Sequence, residues 1–180
     1  MSVKEIIRKR VSQSNFTDQK IDLDVLTRLL DDSVHAPNHK MRQPWRFIIL
    51  EGDGKENFRT KYLNELNDKT KNLFEMKLNK VFSAPVIVAF LMKKNDNIHD
   101  DLEDMQAVAA LIQNFLLLLT ELNIGSHWKT PPYIETDTFK DILGVDTNEI
   151  IVALVMVGYP GKETPLKPRK SANSLTTFYR

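Results

Sequence analysis

Apolar residues return at helical spacing between Asp22 and Val34, at Leu23, Leu26, Leu29, Leu30 and Val34. Asp22 suits the capping position, and Pro37 stops the pattern. A continuous apolar run, Phe47-Ile48-Ile49-Leu50, then precedes Gly52-Asp53-Gly54, which predicts a buried strand followed by a turn. The charged stretch from Lys55 to Val81 carries Phe58, Tyr62, Leu66, Leu73, Phe74 and Leu78 at looser helical spacing and predicts helix. Pro85 to Met92 reads as a second buried strand, Asp100 to Leu122 as a long central helix, and Glu135 to Leu143 as a short helix ended by Gly144. Ile150 to Val157, β-branched and apolar on both faces, is the strongest strand pattern in the chain. The first ten residues predict a short amphipathic helix. The tail beyond Gly161 ends in Ser174-Leu175-Thr176-Thr177-Phe178-Tyr179, which predicts a terminal strand.

Strands separated by long helices, with helices also at the front, predict an α+β sandwich of one domain over residues 1–180. At this length roughly 70% of the unfolded surface can be buried. Within the central helix, Val108, Leu111, Ile112, Phe115 to Leu119 and Leu122 cover more than one face. A helix apolar nearly all round must be covered on all sides. Either a second subunit or the chain's own helices could do it. Gln106, Gln113, Asn114 and Glu121 make the segment from Met105 too polar and too short for a membrane span.

Composition narrows the classes. A formal net charge of +1 gives no global field toward nucleic acid or membrane. The absence of cysteine excludes disulfides, thiolate metal sites and a thiol nucleophile, and fits a cytoplasmic protein. The N-terminus lacks the apolar core of a signal peptide. No GxSxG, Walker or GxGxxG pattern is present, so hydrolase, P-loop and Rossmann readings lack support.

Candidate chemistry concentrates in three places. The stretch from His35 to Leu50 packs two His, Asn38, Gln43, Lys40, Arg42 and Arg46 between a helix and a strand. Such loops often carry ligand chemistry, although a solvated basic connector has the same composition. Arg8-Lys9-Arg10 followed by Ser12 and Ser14 sets cations beside hydroxyls, which suits phosphate; basic residues in a last helical turn also simply favour the helix dipole. Gly125-Ser126-His127-Trp128-Lys129-Thr130 follows the central helix, and Gly125 is expected to supply the tight path from helix into strand. Trp128 beside Lys129 could equally be a surface cation lying on an aromatic. His35 and His39 stand four apart, but Pro37 breaks any shared helix face and no third ligand is evident, so a metal is not expected.

Read together and in order, Arg10-Val11-Ser12, Asn38-His39 with Gln43-Pro44-Trp45-Arg46-Phe47, Asn123 to Thr130, and Val157-Gly158-Tyr159-Pro160 resemble the nitroreductase family, most closely its short NAD(P)H nitroreductases. The resemblance implies a mostly antiparallel sheet flanked by helices and a long buried central helix. It implies a homodimer with FMN at the interface and a tail reaching the partner. It also implies NADH or NADPH as donor, with hydride passing through flavin N5 to a nitroaromatic, a quinone or another electron-poor small molecule. Carried over by position, the flavin residues are Arg10, Val11, Ser12, His35, His39, Trp128, Lys129 and Thr130, with Lys167 or Arg169 from the tail on the phosphate. His35 and His39 would approach the flavin from the partner subunit. Val11 departs from the family's polar residue there, a further basic residue after this segment is missing, and one glycine of the usual Gly-x-Gly is Asn123. Those departures leave a non-catalytic flavin carrier or redox sensor as the alternative. A nucleic-acid module built on the 8–10 and 167–170 basic clusters is disfavoured by the near-neutral charge.

Overall fold

The computed structural model describes residues 1–179. Six α-helices, α1 (Val3–Lys9), α2 (Leu23–Ser33), α3 (Gly52–Glu65), α4 (Asp68–Phe82), α5 (Ile98–Glu121) and α6 (Asp137–Leu143), surround four strands, β1 (Trp45–Glu51), β2 (Val86–Lys93), β3 (Gly125–Lys129) and β4 (Glu149–Gly158). The strand order is β1-β2-β4-β3 and every pairing is antiparallel.

Local chemistry explains the helix starts. Ser2 and Glu5 form a reciprocal capping box on α1, Asp22 accepts from the Asp24 amide on α2, and Asn97 accepts from the His99 and Asp100 amides on α5. Alternation along the strands then sorts the core into two layers. Val86, Val88, Phe90 and Met92 of β2, with Ala153, Val155 and Val157 of β4, face α2 and α5. Ile87, Ala89 and Leu91, with Ile151, Leu154 and Met156, face α3, α4 and α6.

Three expectations need correction. The helix expected over 55–81 is two, broken at Leu66 and Asn67, where the Asn67 side chain accepts from the Thr70 amide and starts α4 afresh. Gly52-Asp53-Gly54 is the first turn of α3 rather than a separate turn, with Gly52 at φ +48°. Gly125 leads from the helix into a strand as expected, although the residues of β3 lack apolar alternation. The expected terminal strand is absent among the described residues. A single 3-10 turn spans Ala172–Leu175, capped by Ser171, and residues 165–179 are exposed. Within one chain, no strand edge is paired with that segment.

The central helix is fully buried on one side and only partly covered on the other. Val108, Leu111, Ile112, Phe115 and Leu119 are fully buried among α2 and the sheet. Leu117 and Leu118 are half-buried, and Leu102 and Leu122 are exposed. By length and composition α5 could cross a membrane, but its middle forms the core of this layer.

Candidate functional site

The sequence-predicted residues fall into two groups. Arg10, Val11 and Ser12 leave the end of α1 and run beside β3. Ser12 bridges Ser126 in parallel, and the Gln13 amide donates to the Ser126 carbonyl at 2.8 Å. Gln13, only 4% exposed, fixes this junction. Its side chain donates to the Lys162 carbonyl at 2.6 Å and accepts from the Thr164 hydroxyl at 2.5 Å. The Lys9 ammonium bonds Asn123 at 2.5 Å. Asn123, not Gly125, makes the left-handed turn out of α5, at φ +57°. Gly125 is needed for close approach: a Cβ there would lie 2.8 Å from Gln13 Cγ and 3.1 Å from the Gly158 carbonyl.

The register of β3 assigns its side chains. Ser126 and Trp128 oppose Val157 and Val155 on the α5 layer; His127 and Lys129 oppose Met156 and Leu154 on the α4 layer. Since the Ser126 carbonyl points away from β4, the backbone groups of Trp128 point outward too, by the two-residue period. Pro131 and Pro132 follow and carry no N–H, so the Thr130 amide is the last backbone donor along that edge.

This edge is electropositive and short of partners. Burial, then the charges of Lys129, Lys80 and Arg10, drive the His127 pKa down to about 4, so the ring is neutral at pH 7. Burial and the neighbouring Lys80 also lower the Lys129 pKa. The Ser126 hydroxyl and His127 Nδ1 are buried without a hydrogen-bond partner. The two lie on opposite faces of β3, and it is the cations Lys129, Lys80 and Arg10, with no carboxylate among the charges that shift His127, that suit an anionic ligand rich in acceptors. Sequence reasoning missed Lys80, whose position in α4 carries no motif.

His35 and His39 lie elsewhere. His35 sits just past α2 and lines a groove of about 410 Å³ with Pro37, Asn38, Met41 and Gln43. His39 begins a 3-10 turn against the first turns of α5, with Nδ1 3.9 Å from Glu103. From Asp104 near that loop to Glu121 near Asn123 is roughly 26 Å of helix at 1.5 Å per residue. A single chain therefore does not bring His39 to Arg10. In the tail, Arg169 folds back onto the Lys167 and Pro168 carbonyls, and neither Lys167 nor Arg169 reaches the Arg10 segment.

The sequence pattern of the Nitroreductase family matches residues 7–159. The chain is 30% identical over 175 residues to YfhC of Bacillus subtilis (strain 168), provisionally assigned as an NAD(P)H nitroreductase, covering 93% of this chain and 89% of that one. It superposes with a TM-score of 0.91 on the crystal structure of a nitroreductase-like family protein from Bacillus cereus, at 27% identity over 99% of this chain and 96% of the other. The FMN and NADPH-dependent nitroreductase NfnB from sphigopyxis sp. strain HMH shares the fold at a TM-score of 0.81, with 16% identity and complete coverage of both chains. With the match running from the end of α1 to the end of β4, the chain belongs to the Nitroreductase family.

Proposed function

We propose that this protein is an FMN-dependent NAD(P)H oxidoreductase that reduces nitroaromatics, quinones or similar electron-poor small molecules, and that it works as a homodimer with flavin at the interface. The observation that carries the reading is the split of the site. Cations gather beside β3, while His39 sits at the far end of α5 and His35 just past Ser33, whose carbonyl accepts from Asn114 of that helix. A two-fold partner that brings its histidine loop to this edge completes one site from two chains. The partly covered side of α5 and the exposed Met1, Val3 and Ile7 of α1 offer apolar surface for that partner.

The residues present fit FMN. Arg10 supplies forked donors for a phosphate and Ser12 an exposed hydroxyl beside it. Lys129 and Lys80 repel each other until negative charge lies between them. The outward amide of Trp128 offers a directional donor to a ring edge, with the Thr130 amide next along the chain, and Trp128 is anchored in the α5 layer. His35 and His39 of the second chain would add donors from the opposite side. When bound, FMN supplies hydride transfer at N5 between NAD(P)H and an acceptor. The chain itself holds the ring, shields one face and leaves the other open to donor and acceptor in turn. Val11 brings no polar side chain to the Arg10 segment, where it lines a groove with Pro160 and Leu166, and a non-catalytic flavin carrier is the second reading.

The test is the visible spectrum of the purified protein, with the released chromophore identified by mass, followed by turnover of NAD(P)H with a nitro or quinone acceptor. Bound FMN with turnover is the expected result. Bound FMN without turnover leaves the carrier, and a protein that refuses added FMN ends both readings. Arg10→Ala should weaken FMN at least tenfold through loss of a charge-assisted contact, read by flavin titration.

A further inference from the structure

The loop that presents His35 and His39 is held in an unfavourable shape. Lys40, Met41 and Gln43 have φ of +51°, +53° and +48°, a left-handed conformation that side chains with a Cβ rarely adopt. Arg42 alone among these four residues keeps ordinary helical angles, at φ −63° and ψ −28°. Its side chain leaves the loop and ends in an acidic pocket on the first turns of α5. Nε donates to Asp104 at 2.8 Å, and Nη2 donates to Glu103 at 3.0 Å and to the Asp100 carbonyl at 3.2 Å. Nη1 lies 3.6 Å from the Asp100 carboxylate. The Asp104 side chain is 4% exposed, so removing Arg42 strands a buried charge. Glu103 also faces both His39 and His99, the latter at 3.5 Å. Around this clamp, Asn38 accepts from the Gln43 amide at 3.1 Å and the Pro44 carbonyl accepts from the Lys93 amide at 3.0 Å.

We infer that Arg42 is a positioning residue: it pins the strained segment Lys40–Gln43 to α5 and so fixes His35 and His39 for the flavin of the partner subunit. The inference rests on the flavin reading above. Left-handed residues persist only where surroundings over-determine them, and here one guanidinium engages Asp100, Glu103 and Asp104 across about one turn of helix. Without the clamp the backbone at 40–43 relaxes toward ordinary angles and the adjoining histidines move with it. A residue that served only general stability would leave loop order and flavin contact alone once the fold was intact.

The experiment compares amide hydrogen exchange over 38–43 in flavin-free protein with FMN affinity by flavin titration. Variants are Arg42→Met, Arg42→Lys, Asp104→Asn, and Arg46→Met as a control. Arg46 makes a comparable charged contact from β1, with Nε donating to Glu149 at 2.8 Å, but does not touch the loop. Arg42→Met is expected to raise exchange at 38–43 at least tenfold and weaken FMN about tenfold. Arg42→Lys should recover part of both, Arg46→Met should change neither by more than twofold, and Asp104→Asn should act like Arg42→Met if that variant folds poorly. Wild-type exchange in Arg42→Met and Asp104→Asn overturns the inference, as does a loosened loop with unchanged FMN affinity. A wild type that binds no FMN overturns the flavin reading and the positioning role together; a wild type that binds FMN while Arg42→Met binds it equally overturns Arg42 alone.

Discussion

The imidazole of His127 shows how neighbours decide a side chain's state. Its ring lies on the α4 layer of β3, partly desolvated and ringed by Lys129, Lys80 and Arg10, and its pKa falls to about 4 from an ordinary 6.5. Between those values the unfolded chain binds the extra proton and the folded chain does not. Stability therefore rises with pH across this window and is lost as pH falls from about 6.5 toward 4. An NMR titration of apoprotein should place the His127 midpoint near 4, and bound FMN should raise it, because a phosphate offsets the three cations. A midpoint unchanged by FMN would remove the anion from this group. The Arg10 to Ser12 and Trp128 to Lys129 stretches stand out in the sequence because a short spelling carries each of them. Lys80 and Arg42 do not, because their partners lie far along the chain on other elements. Nothing local marks Lys80 as a neighbour of β3, or Asp100, Glu103 and Asp104 as the destination of Arg42.

Strong periodicity made α2, α5, β1, β2 and β4 readable to within a few residues. β3 was not, since Gly-Ser-His-Trp-Lys has neither alternation nor branched residues, and only its docking against β4 and Ser12 makes it a strand. The break between α3 and α4 likewise has no proline or glycine, only Asn67 able to cap. Two glycines test this scale. Gly125→Ala forces a Cβ onto Gln13 and the Gly158 carbonyl, and is expected to cost about 1–3 kcal/mol by overpacking. Gly54→Ala, in the first turns of α3 with open space around it, should instead gain about 0.5–1 kcal/mol by raising helix propensity. Urea unfolding of both variants measures the contrast, and equal effects would remove the close-approach role of Gly125.

At the scale of the molecule, the chain sets the cations beside β3 and the His39 loop near opposite ends of α5, and leaves part of that helix, α1 and the tail exposed. The sequence registered the excess of apolar residues on α5, but which faces its own chain covers depends on packing that periodicity does not specify. The tail is the clearest lever. Deleting residues beyond Leu166 keeps the Lys162 and Thr164 bonds to Gln13 while removing Lys167, Arg169 and the exposed Leu175 and Tyr179. The truncated protein is expected to dimerise at least tenfold more weakly in sedimentation equilibrium and to hold FMN less tightly. Unchanged association would show that the tail does not cross.

The far side of β1 matters before any partner arrives. Trp45 to Glu51 pairs only with β2 among the described residues, so one row of its amides and carbonyls stays open along a strand rich in Phe, Ile and Leu. β3, at the other margin, is shielded by Ser12 and halted by two prolines; β1 has no such guard. A freshly synthesised copy thus passes through an interval in which it can template cross-β stacking with its own kind. Soluble yield is then expected to be a race between burial of this edge and fibre-like misassociation, lost first where chains accumulate faster than the edge is covered.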